Sequence, residues 1–218
     1  MVRVAQLVRV EHHKPCACPV GIGATQKDAQ VMDLAPVRLF LTGPAGSGKS
    51  TLAGILVERH GFTRISLGDI PRALAAKRGV APTRAVLQKL GDELRGGDPA
   101  RLARLVLPQI YGEARIVVDG VRLPEEADVL RAAGCVGVAL KAPALVRYRR
   151  LSERGERWAD GVEASHPTET AHGSIAVQFW VDAAGTLLPF IEEASVLVAA
   201  ADTAARHRMT GPKRPERR

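Results

Sequence analysis

Gly43-Pro44-Ala45-Gly46-Ser47-Gly48-Lys49-Ser50 fits the pattern G-x-x-x-x-G-K-[ST], and its flanks decide how it reads. Ahead of it, Val37-Arg38-Leu39-Phe40-Leu41-Thr42 is a short apolar run of the kind that forms a buried strand. Behind it, Thr51-Leu52-Ala53-Gly54-Ile55-Leu56-Val57 is apolar at helical spacing and ends near Gly61. An ordinary glycine turn between strand and helix would not need both Lys49 and Ser50. Glycines let the backbone close around an anion without Cβ clashes. The loop's N–H groups and the positive helix end then form a nest for phosphates. The expected nucleotide-binding set is Gly43, Gly46, Ser47, Gly48, Lys49, Ser50 and Thr51. Lys49 would neutralise the β- and γ-phosphates, and the Ser50 hydroxyl would hold Mg²⁺. The sequence has no Asn-Lys-x-Asp guanine signature, which makes ATP the expected nucleotide.

Downstream the chain alternates. Strands are expected at 62–67, 115–119, 136–141 and 177–181. Helices are expected at 70–78, 83–95, from Pro99 to about Tyr111 with Asp98 as its N-cap, 124–133, 143–154 and about 186–200. Residues 155–173 are polar, with Gly, His and Pro, and read as a loop or lid. The alternation argues for an α/β fold with a parallel sheet covered on both faces.

The 218 residues suffice for one α/β domain with a core of its own. The net charge of +8 divides unevenly, as +1 over residues 1–36, +3 over 37–200 and +4 over 201–218. A tail such as Arg206 to Arg218 reads as a solvated extension, with polyanion binding as the alternative. Aromatic residues make up 4% of the chain, so no stacking platform for single-stranded nucleic acid is advertised. The first thirty-odd residues lack an apolar stretch suited to a signal peptide or a membrane span, and they read as a poorly ordered extension. Met32, just ahead of the first strand, is a candidate start. Cys16, Cys18 and Cys135 fit a reduced, cytoplasmic protein. His12, His13, Cys16 and Cys18 match no standard zinc spacing, and Cys135 reads as a core residue.

Four further segments carry a resemblance. They are Ile65-Ser66-Leu67-Gly68-Asp69-Ile70-Pro71-Arg72, Val117-Val118-Asp119-Gly120-Val121-Arg122, Arg150-Leu151-Ser152-Glu153-Arg154, and Phe179-Trp180-Val181-Asp182-Ala183-Ala184-Gly185-Thr186-Leu187. With the phosphate loop, they make the chain from Val37 to about Ala200 resemble the P-loop nucleoside monophosphate kinase-like superfamily, including adenylate, deoxynucleotide and dephospho-coenzyme A kinases. The resemblance implies a three-layer αβα P-loop NTPase fold with a five-stranded parallel sheet and a small helical lid. Ala183 and Ala184 stand where an asparagine usually precedes the last glycine, and the Asp-Gly-Phe-Pro-Arg form of true adenylate kinases is absent.

Within this frame Asp119 would hold Mg²⁺ through water. Asp69 would orient or deprotonate a hydroxyl acceptor, or serve structurally if the acceptor is a phosphate. Arg72 and Arg122 would fix the acceptor's anionic group, because a guanidinium fork matches phosphate oxygens. Arg84, Gln88 and Arg95 share one helix face and either line the acceptor pocket or form a solvated surface. Arg150 and Arg154 would reach the transferring phosphate, whereas Arg147 and Arg149 read as solvent-exposed. His166 falls in the lid and reads as a surface histidine or a substrate contact. The expected activity is an ATP-dependent kinase acting on a nucleotide-like small molecule. The alternatives are a kinase of a hydroxyl acceptor, on a coenzyme precursor or a modified base, and a non-enzymatic nucleotide-dependent switch.

Overall fold

In the computed structural model, residues 36–156, 165–185 and 196–203 are described. Val37–Thr42 is strand β1, and all but one of its residues are buried. A strand so enclosed must be covered on both faces, and its alternating side chains show how. Phe40 points into one apolar cluster, while Leu39 and Leu41 point into the other.

The glycine loop leads from β1 into α1 (Lys49–His60), which ends on Gly61 in the left-handed conformation. Then follow β2 (Thr63–Ser66), α2 (Asp69–Lys77), α3 (Arg84–Arg95) and α4 (Arg101–Gly112). Next come β3 (Arg115–Asp119), α5 (Pro124–Ala132), β4 (Val136–Lys141) and α6 (Ala144–Glu153). A short helix α7 (Pro167–Thr170) runs into a 3₁₀ turn, Ala171–Ser174, before β5 (Phe179–Asp182). Residues 196–203 are helical.

The five strands are all parallel and lie in the order β2-β3-β1-β4-β5. Helices α2, α3, α4 and α5 share the cluster that holds Phe40. Helix α1 and the 196–203 segment cover the opposite face through Leu52, Leu56, Leu197 and Val198. The result is the three-layer αβα architecture. Gly137 on β4 makes room for the Phe40 ring, since a Cβ there would lie 2.6 Å from it. Cys135 sits in the same cluster, as a core residue should.

From β1 the chain crosses to the sheet edge at β2, returns to β3, and then passes to β4 on the other side of β1. The direction of winding therefore reverses around β1, and such a reversal opens a crevice at the strands' carboxyl ends. Gly43, Asp119 and Lys141 all lie there.

Three expectations shift in detail. Asp98 Oδ1 accepts from the Ala100 N–H at 3.0 Å, but it closes a turn, and α4 begins only at Arg101 with Ala100 as its N-cap. Val177 and Gln178 fall short of β5, where the Gln178 side chain accepts from the Gly137 N–H at 2.7 Å. The last helix continues through 203, where Asp202 pairs with Arg115 at 3.2 Å. Residues 1–35, the 157–164 part of the expected lid, 186–195 and 204–218 lie outside the described residues, and with them His12, His13, Cys16, Cys18, Thr186 and Met32. Among the described residues, no helix is long and apolar enough to cross a membrane.

Candidate active site

The phosphate loop needs its glycines. Gly43, Gly46 and Gly48 have φ of 132°, 76° and 96°, in the region other residues avoid. A Cβ on Gly43 would stand 2.6 Å from the Leu140 carbonyl oxygen, and one on Gly46 2.8 Å from that of Arg147. The loop is thus clamped between β4 and α6. Gly48, the N-cap of α1, has no side chain to close the helix end, and its first turn carries no acid, which suits its N–H groups and positive end to an anion.

Lys49 Nζ donates to the carbonyls of Gly43 and Pro44, both at 2.8 Å. Burial first and Arg122 second lower the ammonium to about pKa 8, against the opposing pull of Asp119 and Glu169. Ser50 Oγ donates to Asp119 Oδ2 at 3.2 Å, and Arg64 Nη2 donates to the same oxygen at 2.9 Å. The Asp119 side chain is 5% exposed, so these hydrogen bonds stand in for the water it lacks.

Ser50 at the start of α1 and Asp119 at the end of β3 are hard oxygen donors, which fits Mg²⁺ shared between one or two protein oxygens and phosphates. Among the described residues, no three His, Cys, Asp or Glu side chains gather into a metal cage. Ser47 Oγ, buried beside Gly43, has no hydrogen-bond partner among the described residues, and Thr51 follows Ser50 in the first turn of α1.

The expected acceptor arginines separate into three places. Arg84 at the start of α3 and Arg122 after β3 converge on the carboxylate of Glu169 in α7, at 3.0 and 2.6 Å. Arg122 Nη1 also donates to the Thr168 carbonyl at 3.2 Å. Arg95, at the far end of α3, turns away to Glu126 at 3.0 Å. Glu126, fully buried, also accepts from the Arg122 and Leu123 N–H groups at 2.9 and 3.2 Å. Gln88 is half-buried on α3 between the two arginines.

Arg72 pairs with Asp69 at 3.0 Å at the exposed start of α2, with its guanidinium over Gly68. Gly68 is the N-cap, and Asp69 stands in the first turn. Arg154 pairs with Glu156 at 3.4 Å and is near enough to act on the charge of Lys49, while Arg150 is half-buried one turn earlier.

Four residues here escaped the sequence reading. Arg64 holds Asp119. Arg147 is not the solvent-exposed residue expected: its Nη1 donates to the Ala45 carbonyl at 3.4 Å and its backbone packs on Gly46. Glu169 joins Arg84 and Arg122. His172 lies close enough to Lys49, Glu169 and Arg147 to feel their charges, and burial first and Lys49 second hold its imidazole below the usual value. The helical spacing of Arg147 after Pro143 could have found the second; the others depend on contacts between distant segments. His166 caps α7 through Nδ1 and meets Asp92 of α3 at 2.9 Å, so it ties α7 to α3. Lys141, Ala142, Pro143, Trp180, Val181, Asp182 and Ala184 line a pocket of about 430 Å³ at the ends of β4 and β5. There Lys141 Nζ lies 3.7 Å from the Trp180 ring centroid, a cation–π contact.

The family described as AAA domain matches residues 39–166. A UPF0200 protein of Pyrobaculum aerophilum is 38% identical over 119 residues, which cover 54% of this chain and 66% of that protein. An adenylate kinase of Salinibacter ruber is 35% identical over 131 residues, covering 54% of this chain and 59% of that enzyme. A gluconokinase from Sinorhizobium meliloti shares the fold, with a TM-score of 0.55 at 19% identity, covering 80% of this chain and 98% of that one.

Proposed function

The chain belongs to the AAA domain family and to the P-loop nucleoside monophosphate kinase-like proteins, and from that membership we propose that it is an ATP-dependent phosphotransferase acting on a nucleotide or nucleotide-like small molecule. The catalytic unit is residues 37–200, and its place of action is the cytoplasm. The observation that supports the reading is a pair of arginines, Arg84 and Arg122, gathered on Glu169, with Arg122 close enough to Lys49 to bear on its charge. A nucleotide-dependent switch needs the phosphate loop but no second anion site.

Phosphoryl transfer asks a protein for alignment and charge neutralisation. The Gly43–Gly48 backbone and the α1 N-terminus cradle the donor's phosphates. Lys49 moves from the carbonyls of Gly43 and Pro44 onto a phosphate oxygen. Ser50 and Asp119 would hold Mg²⁺, which neutralises charge on the β- and γ-phosphates when bound. Arg64 holds the Asp119 carboxylate in place beside Ser50. Arg154 and Arg150 supply positive charge beside Lys49 as negative charge shifts along the transfer axis. Arg122 and Arg84 fix the acceptor, and Arg95 acts through Glu126 to hold the Arg122 backbone. The pocket beside Trp180 and Lys141 is offered to the nucleotide's base.

A hydroxyl acceptor is the second reading. It is favoured by Asp69, whose carboxylate sits at the carboxyl edge of the sheet and already engages Arg72, leaving that arginine less free for a phosphate. An acceptor screen with Mg²⁺-ATP, following ADP, tests both. Stimulation by a nucleoside monophosphate supports the first reading, and stimulation only by a hydroxyl compound supports the second. Steady hydrolysis that no acceptor stimulates would remove the kinase assignment.

A further inference from the structure

Arg84 and Arg122 are not waiting in water for an anion; the chain supplies one. Glu169 Oε1 takes Nη1 of both, at 3.0 and 2.6 Å, and the three side chains are only 19%, 34% and 11% exposed. They come from three separate elements, α3, the loop after β3, and α7. The cluster adjoins the phosphate loop, because Lys49 feels both Arg122 and Glu169. Two arginines against one carboxylate leave one positive charge over.

We infer that Glu169 is an internal competitor for the acceptor's anion site, and that it restricts the acceptor to phosphate monoesters over carboxylates. This rests on the reading of Arg84 and Arg122 as the acceptor site. A tethered group acts at an effective concentration on the order of millimolar. An external carboxylate has the same charge and the same two oxygens, so it gains nothing by replacing Glu169 below that concentration. A phosphate monoester carries about −1.5 to −2 charges at neutral pH and three acceptor oxygens. It can serve Arg84 and Arg122 with separate oxygens and neutralise the charge Glu169 leaves over. The competitor raises the threshold for both anions alike, and only the phosphate's extra charge and third oxygen carry a ligand over it.

The test uses the full chain, with the phosphate loop filled by a non-hydrolysable Mg²⁺-ATP analogue. Methyl phosphate and acetate are titrated by calorimetry at fixed ionic strength. Glu169→Gln is expected to bind methyl phosphate and acetate each about tenfold more tightly, which brings acetate into the range the parent chain denies it. The double variant Arg122→Gln/Glu169→Gln is expected to lose both gains. Affinities in Glu169→Gln within about twofold of the parent's, or gains that survive in the double variant, would overturn the inference. Should Glu169→Gln not fold, the unaltered chain still decides. The Glu169 carboxyl ¹³C signal must move with methyl phosphate on the same saturation curve as binding, and a signal that stays still while methyl phosphate binds overturns it. Neither readout needs turnover. Failure of the kinase reading would appear separately, as no binding of the ATP analogue or no phosphate transfer to any acceptor.

Discussion

Replacing Asp119 by Asn removes one negative charge and leaves the shape of the site almost unchanged. In the native chain that carboxylate takes Arg64 at 2.9 Å and Ser50 at 3.2 Å, with its side chain 5% exposed and that of Arg64 29% exposed. Two unit charges about 3 Å apart attract by roughly 5 kcal/mol at an effective dielectric near 20. Desolvation offsets most of this, and Arg64 keeps some access to water, so the expected stability loss is about 1–2 kcal/mol. Transfer suffers more, because one Mg²⁺-positioning charge disappears and the Lys49 ammonium loses the group that most supports it. A rate decrease of about a hundredfold is expected, with saturation moved to higher Mg²⁺. Urea denaturation measures the first effect, and ATP turnover across a Mg²⁺ series measures the second. A variant that keeps the parental rate and Mg²⁺ dependence would refute the assignment of Asp119.

Gly46→Ala combines a φ of 76° with a Cβ 2.8 Å from the Arg147 carbonyl oxygen, so both stability and nucleotide affinity should fall. Gly61→Ala, at φ 66° with open space around it, should cost only about 1–2 kcal/mol and leave affinity unchanged in a nucleotide titration. Lys49 gives a proton signature. Its ammonium is lowered to about pKa 8 by burial and Arg122, and bound phosphates restore it. ATP binding should therefore take up about half a proton at pH 8, read by calorimetry in buffers of different ionisation heat. In the free chain the unfolded lysine binds its proton more tightly than the folded one, so Lys49's contribution to stability rises as pH climbs from about 8 to 10.5.

The frame of this fold was legible because it rests on local pattern. Runs of apolar residues announced β1, β3 and β4, and Asp119 could be placed because a strand's last residue lies at the sheet's carboxyl edge. The acceptor side was less legible. Helical periodicity puts Arg84 and Arg95 on one face of α3, but eleven residues also separate them by about 16 Å along the axis. One end therefore meets α7 and the other meets Glu126. Periodicity reports direction around a helix and says nothing of what stands opposite each turn. Glu169 and His172 come from a polar stretch with no pattern to read, and their place beside Arg84, Arg122 and Lys49 is set by where α7 and the turn after it pack. Arg64 was hidden for a similar reason: its register opposite Val117 lets a long side chain reach along β3 to Asp119.

The most direct test of the central claim is ADP formation from Mg²⁺-ATP across a panel of nucleoside monophosphates and hydroxyl acceptors, run in parallel with Lys49→Ala. The account predicts strong stimulation by an acceptor in the parent chain and a loss of activity in the variant of roughly a hundredfold or more. Acceptor-stimulated transfer that persists in Lys49→Ala would contradict it.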